Sequence, residues 1–337
     1  MEITELTKKL ETYLNSKNPH QAPHKVENIA EINMGWETEL YTFISHHSEN
    51  DAQVKEDLVV RIFSWENATK KASKEFYLMD KLNSIGYPVP PVYHLEPGSD
   101  VIGKSFIIMK RIVGKTLDGS YQNETSERFN EGISRLMELF ARLHSIDVSM
   151  FKDSEYLNSK DSIQVYIDYF KNSRDEHAPW MTLVIDWLEE KRPSDTSKYQ
   201  SLCNLDYHGM NVMIDEEDNA FVIDWGSSGV GDSRLDLGWT LLLYNTFGGS
   251  MFNEPIIESY KRYGGKTHGL KFFEVMAAAR RITDCVNVLD DKSVGGLRPD
   301  VVDLMRREKD HYLNVHDFLE DRKGIRIAEF DKILAGF

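Results

Sequence analysis

The sequence predicts an α+β protein in two parts: a small strand-rich N-terminal part and a larger, mostly helical C-terminal part. Three observations lead there. Short apolar runs punctuated by glycine and proline crowd the first third of the chain. From Thr125 onward the apolar residues switch to helical spacing, and a single hairpin with an acidic turn interrupts the helices near residue 215. The change of period falls near Arg111–Gly114, dividing the chain into residues 1–111 and 112–337.

Taken in order, Ile3, Leu6, Leu10 and Tyr13 recur at helical spacing and open the chain with an amphipathic helix. "AEINMGWETELYTFIS" reads as strand, turn and strand, with Gly35 at a bend whose backbone N–H groups can lie over phosphates. "DLVVRIFSW" is a further strand. In "ENATKKASKEFYLMDKLNSIG", Phe76, Met79 and Leu82 form one apolar helix edge, closed by Gly86. The prolines of "YPVPPVYHLE" forbid helix, and "SFIIMKRIVG" is an apolar strand running to Gly114. Further on, Ile133, Leu136, Met137, Phe140 and Leu143 make a stripe that ends at "LHSID", and the same spacing returns over 272–286 and 301–319. Between these, "NVMIDEEDNAFVIDW" places strands at about 211–215 and 220–224.

Composition excludes several function classes. With 41% hydrophobic and 28% charged residues, the 337-residue chain has ample material for a globular core. A net charge of -15 with no Lys/Arg-rich block makes nucleic acid and anionic membrane poor partners. No apolar run approaches the ~18 residues that a bilayer span requires. The N-terminus lacks the regions of a signal peptide, and Cys203 and Cys285 stand in no metal-spaced cluster, so a cytoplasmic protein is expected.

The chemistry concentrates in "NLDYHGMNVMIDEEDNAFVIDWGSSGVGDSRLDLGW". The hairpin is expected to bring Asn211, opening its first strand, and Asp224, closing its second, to one end, with Asp206 on the loop just before. Two carboxylates and a carboxamide form a hard, incomplete ligand set. Mg2+ suits it, because that ion keeps several waters and takes its remaining ligands from substrate phosphates. A carboxylate without a metal role can orient a hydroxyl and accept its proton. These are the working parts of phosphoryl transfer, in which positioning and charge neutralisation dominate.

The same stretch resembles the catalytic segment of the aminoglycoside phosphotransferase and choline kinase-like family of small-molecule kinases. The shared pattern is an Asp, four residues and an Asn, an apolar hairpin ending in Ile-Asp-Trp, then Gly-Asp and Asp-Leu. The resemblance implies a bilobal protein-kinase-like fold that moves the γ-phosphate of Mg2+-bound ATP or GTP to a hydroxyl of a small acceptor. It makes Asp206 the catalytic base, Asn211 and Asp224 the metal ligands, and Asp236 the buried Asp that steadies the catalytic loop. "VVRIF" and "KEFYLMDKL" resemble the strand with a phosphate-contacting cation and the helix with its Glu partner, hence Arg61 and Glu75. "FIIMKRIVGKTL" is similar to the interlobe hinge, where backbone groups near Lys110 and Ile112 would meet the purine edge and Met109 would guard the pocket.

The likeness runs over roughly residues 25–245. It departs from the family pattern at Asn204, where a loop-supporting His is usual, and at Arg61, where Lys is commoner. The acidic charge balance keeps a cationic acceptor, such as an aminoglycoside or amino alcohol, among the candidates, beside sugars, nucleosides and macrolide-like alcohols. Two rival readings stand next to this one. A catalytically silent nucleotide-binding regulator is motivated by Asn204 and Arg61. A protein kinase would require "DFG" and "APE" patterns that the segment after Asp224 lacks.

Overall fold

The computed structural model describes residues 1–337 except 22, 33–37, 50, 51, 65, 66, 99, 122–125, 158–160, 177 and 291–300. The described residues form two compact units. One comprises Met1–Gly114 and Ile214–Gly226; the other comprises Lys115–Met213 and the described residues from Ser227 on.

The first unit contains α1 (Ile3–Lys17), β1 (Lys25–Glu31), β2 (Thr38–Glu49), β3 (Ala52–Phe63), α2 (Ala68–Ser84), β4 (Val92–Glu96) and β5 (Ser105–Lys110). The strands make one antiparallel sheet in the order β1–β2–β3–β5–β4. Side chains alternate across a strand, and β3 uses both faces. Val60 and Ile62 join Leu6, Leu10 and Tyr13 of α1 in an apolar cluster with Phe43, Phe106 and Ile108. Arg61, between them, points to the opposite face, where α2 packs. The buried stripe of α2 is Ala72, Glu75, Leu78, Met79 and Leu82, so a carboxylate sits among apolar neighbours. The helix gives way at Gly86, whose φ of 76° suits a residue without a Cβ. The Gly35 bend lies outside the described residues.

The chain continues through β6 (Gly114–Thr116), α3 (Leu117–Tyr121), α4 (Ser126–His144), α5 (Ser162–Glu176), α6 (Thr182–Glu190) and β7 (Gln200–Cys203). Then come β8 (Val212–Asp215), β9 (Ala220–Val222), β10 (Gly229–Asp232), α7 (Ser233–Gly248), α8 (Asn253–Arg262) and α9 (Leu270–Asp290). The last helices are α10 (Val301–Arg307), α11 (Lys309–Lys323) and α12 (Ala328–Ala335). The expected α4 stripe of Ile133, Leu136, Met137, Phe140 and Leu143 is buried throughout. Helix α7 is buried on every side over Ser233–Leu242, which makes it the axle of the helical unit. No helix among the described residues is long and apolar enough to cross a membrane. A strand-rich unit and a helix-rich unit together make the protein-kinase-like α+β fold.

The hairpin is shorter than its sequence pattern. Asn211 ends a 3-10 turn over Gly209–Asn211 instead of opening a strand, and Asp224 lies beyond β9 at φ 58°. Both departures follow from Asx chemistry, because short polar side chains bond locally to backbone and tolerate left-handed φ. The antiparallel pair β7–β10, which pairs Cys203 with Gly229, was not anticipated. Its members are four residues long, and two of the four in β10 are glycine.

Candidate active site

The Asp206 loop begins where β7 ends at Cys203. Asp236, in the first turn of α7, is fully buried and holds the loop by its backbone. Its Oδ2 accepts from the Asn204 N–H at 2.6 Å and its Oδ1 from the Leu205 N–H at 2.8 Å. His144, at the end of α4, lies with Nε2 3.2 Å from the same Oδ2. Leu205 has φ 64°, while the other non-glycine residues at positive φ among the described residues are all Asn or Asp. A left-handed Leu costs on the order of 1–3 kcal/mol. The surroundings impose it, because the Leu205 carbonyl also accepts from Arg280 Nη1 at 2.8 Å. Asn204 takes its own part: its Oδ1 accepts from the Asp206 N–H at 3.1 Å. The residue that replaces the family's His therefore supports the loop through its carboxamide.

Asp206 emerges from this frame with its carboxylate already engaged. Trp239 Nε1 donates to Oδ1 at 2.9 Å, and His208 Nε2 stands 3.8 Å from the same oxygen. Asn211 Nδ2 donates to the Asp206 carbonyl at 2.9 Å and lies 3.4 Å from Oδ2 and 3.1 Å from His208 Nε2. Burial opposes the charge on Asp206, but His208, Trp239 and Arg280 outweigh it and hold its carboxyl down at about 2. The group is ionised at neutral pH.

Gly209, between these residues, is a close-approach glycine. A Cβ there would lie 1.9 Å from Asp118 Oδ1, while its N–H donates to the Tyr244 hydroxyl at 3.0 Å. That hydroxyl in turn donates to Asp118 Oδ1 at 2.8 Å.

A second set lies in the first unit. Arg61 places Nη1 3.1 Å from Glu75 Oε1 and Nη2 3.0 Å from Asp224 Oδ1, so its planar fork spans two carboxylates. The Glu75 side chain is 1% exposed and that of Asp224 43%, so one carboxylate is walled in and the other faces outward. The end of the hairpin is pinned nearby. Trp225 is buried edge-on against Tyr87, its indole N–H donates to the Val222 carbonyl at 3.0 Å, and the Val222 N–H donates to the Pro88 carbonyl at 2.8 Å. Lys74 Nζ lies 3.4 Å from the Gly226 carbonyl, with its pKa lowered by burial.

Met109 is buried in β5, opposite Val59. The N–H groups of Lys110 and Arg111 donate to the carbonyls of Pro91 and Asp57, and Ile112 follows outside any helix or strand. The structure thus brings Asp206 together with Asn211, and Arg61 together with Glu75 and Asp224. Asn211 Oδ1 and the outward carboxylate of Asp224 are hard oxygen donors of the kind Mg2+ takes.

Residues 29–273 match the model of the APH phosphotransferase enzyme family. The chain belongs to that family. As a member it is a phosphotransferase with an alcohol group as acceptor. Solved structures share the family fold. One, from Ralstonia eutropha JMP134 and assigned as an aminoglycoside phosphotransferase, is 19% identical with a TM-score of 0.68, over 94% of this chain and 98% of its own. A thermostable APH(4)-Ia mutant in ternary complex with ADP and hygromycin B gives 0.60 at 16% identity, over 91% and 98%. A GDP and kanamycin complex of APH(2")-IIIa gives 0.60 at 15%, over 93% and 97%.

Curated relatives include acyl-CoA dehydrogenase family member 10 of Mus musculus, 26% identical over 51% of this chain and 16% of its own length. Family member 11 of Gallus gallus is 25% identical over 54% of this chain and 25% of its own. The matched stretch spans a quarter or less of these relatives.

Among the residues that surround the Asp206 loop, Trp239, Arg280, Asp118 and Tyr244 carry no role in the sequence reading. Two of them left a signal. Trp239 follows Asp236 by three residues and so shares its helix face. Arg280 is a cation one turn after Met276 in a largely apolar helix. Asp118 and Tyr244 left none, because their pairing depends on tertiary contact.

Proposed function

We propose that the protein transfers the γ-phosphate of Mg2+-bound ATP or GTP to a hydroxyl of a small molecule. The carrying observation is the Asp206 loop, in which an ionised carboxylate and the Asn211 carboxamide are oriented by bonds to their own backbone and to α7. Asp206 would orient the acceptor hydroxyl and take its proton. A carboxylate held near 2 is a weak base, and that fits a loose transition state in which the hydroxyl proton leaves late and orientation matters most.

Asn211 and Asp224 would hold Mg2+, which supplies neutralisation of phosphate charge. The donor chemistry fits: Asn211 spends its amide nitrogen on Asp206 and keeps its oxygen for a cation, and Asp224 faces outward. Arg61, fixed by Glu75, would contact the phosphates. With the amides of Lys110 and Arg111 already bonded, Ile112 and the Lys110 carbonyl are the backbone groups offered to a purine edge beside Met109. Gly35 remains the proposed backbone cover for the phosphates.

The acceptor is a small hydroxyl compound. The relatives crystallised with hygromycin B and kanamycin make an amine-bearing acceptor the first class to test, in keeping with the acidic chain. Nucleic acid and membrane are not expected partners. Buried free thiols at Cys203 and Cys285 accord with a reducing cytoplasm. The test is a phosphate-transfer screen with ATP and GTP against aminoglycosides, choline-like alcohols, sugars and macrolides. Transfer that requires Mg2+ and falls at least about 100-fold in Asp206→Ala supports the reading. Nucleotide binding without transfer to any class would favour a regulator instead.

A further inference from the structure

Trp239 and Arg280 do something for Asp206 that packing does not require. Trp239 sits on the face of α7 that carries Asp236, so one helix holds the catalytic loop twice. Asp236 grips the amides of Asn204 and Leu205, and Trp239 grips the carboxylate of Asp206 itself. Indole N–H is a donor only, so Oδ1 can meet it only as an acceptor. The side chain's rotation is thereby set, and Oδ2, with the longer 3.4 Å contact from Asn211 Nδ2, is the oxygen turned to the proton.

Arg280 of α9 fixes the indole in turn. Its guanidinium carbon lies 3.8 Å from the centre of the Trp239 ring, while Nη1 donates to the Leu205 carbonyl. Its own aim comes from Asp284, whose Oδ2 is 3.7 Å from Nε and whose Oδ1 accepts from the Tyr169 hydroxyl at 2.6 Å. One cation therefore touches both the strained residue before Asp206 and the ring that holds the Asp206 carboxylate.

We propose that Trp239 and Arg280 are positioning residues for the transfer step, locking Asp206 in the rotamer that presents Oδ2 to the acceptor hydroxyl. The inference rests on the reading of Asp206 as the base. Neither side chain is assigned any contact with nucleotide, so their loss should appear in kcat and leave nucleotide affinity alone. Misplacement of a catalytic group by about 1 Å can cost roughly 100-fold in rate.

The experiment compares wild type, Trp239→Phe, Asp206→Ala and the double variant, using Mg-ATP or Mg-GTP and the best acceptor from the transfer screen. Phe keeps an aromatic ring for Arg280 and removes the N–H together with part of the ring's bulk, which the Asp206→Ala background controls for. The expected result for Trp239→Phe is a kcat lowered about 10–100-fold, with the KM for nucleotide within a factor of two. In the Asp206→Ala background the same change should cost nothing further. An unchanged kcat overturns the proposal, as does an equal additional loss in the Asp206→Ala background, which would place the role of Trp239 elsewhere. Should Trp239→Phe lose nucleotide binding through misfolding, Arg280→Lys decides. It keeps the charge and loses the planar fork, and it is expected to lower kcat at constant nucleotide KM; an unchanged kcat there overturns the proposal equally. Wild-type turnover by Asp206→Ala would instead strike the assignment of the base, and it is read separately.

Discussion

The Asp206 loop and the Arg61 set solve the placement of charged groups by different means. Around Asp206, the loop itself is held by its backbone, with Asp236 on two amides, Asn204 on a third and Arg280 on the carbonyl of a left-handed Leu, while Trp239 holds the carboxylate. Around Arg61, side chains hold side chains, with one guanidinium shared between a buried and an outward carboxylate. A buried backbone frame fixes geometry and is little screened by salt. A charge bridge can exchange partners, as a nucleotide's phosphates would require of Arg61 and Asp224. Damage to the loop should therefore appear in turnover, and damage to the bridge in nucleotide affinity.

The sharpest way to break that contrast is Gly209→Ala. The added methyl would meet Asp118 Oδ1, which can yield only by giving up the Tyr244 hydroxyl that also holds the Gly209 amide. Overpacking of this kind costs about 1–3 kcal/mol, and the displaced loop should lower kcat by roughly 100-fold. Thermal unfolding and steady-state kinetics measure both; a variant with wild-type kcat would show that the frame does not set the rate.

Next in size is Arg61→Ala. Removing one partner of a buried ion pair costs about 3–5 kcal/mol, reduced here because the Asp224 side of the bridge is solvent-screened. The expected outcome is a KM for nucleotide raised about 10-fold or more, equivalent to at least ~1.4 kcal/mol, with kcat changed less than KM. Arg61→Lys should recover part of the affinity. Equal losses in kcat and affinity would dissolve the distinction between the two regions.

The smallest effect is a control that belongs to neither set. His311, buried on α11, stacks on Phe247 and accepts from Arg281 Nε at 2.9 Å. Burial first, then the Arg281 charge, push its pKa down to about 3. Below an unfolded value near 6.5, the unfolded chain binds a proton that the native ring refuses. Stability therefore falls as pH drops from about 6.5 toward 3, at up to about 1.4 kcal/mol per pH unit. Denaturant unfolding of wild type and His311→Asn at pH 7 and pH 4.5 should show a shallower acid loss in the variant, with kcat at pH 7 unchanged. An identical acid loss would remove His311 as its source.

Much of this was legible in the sequence because it is local. The α4 stripe is written in residues three and four apart, and Asp206 and Asn211, five residues apart, meet on one loop. Arg61 and Glu75 meet as the family pattern implied. What escaped the sequence depends on long-range closure. Nothing near Arg61 announces that its second nitrogen will find Asp224, and the Asp118–Tyr244–Gly209 contact joins three segments. The hairpin's shorter strands reflect a competition that periodicity cannot see, because Asn211 and Asp224 carry apolar neighbours yet follow their own side-chain chemistry into a turn and a left-handed bend.

The central claim, that Asp206 serves the transfer step while Asp224 serves the Mg-nucleotide, is tested most directly by one paired titration. Mg2+-dependent nucleotide binding and phosphate transfer would be measured side by side for Asp206→Asn and Asp224→Asn. The account predicts that Asp206→Asn binds Mg-nucleotide like wild type and transfers at least 100-fold more slowly, within the range for a lost general base, whereas Asp224→Asn loses the Mg2+-dependent part of binding. Transfer at the wild-type rate by Asp206→Asn, or intact Mg2+-dependent binding by Asp224→Asn, would contradict it.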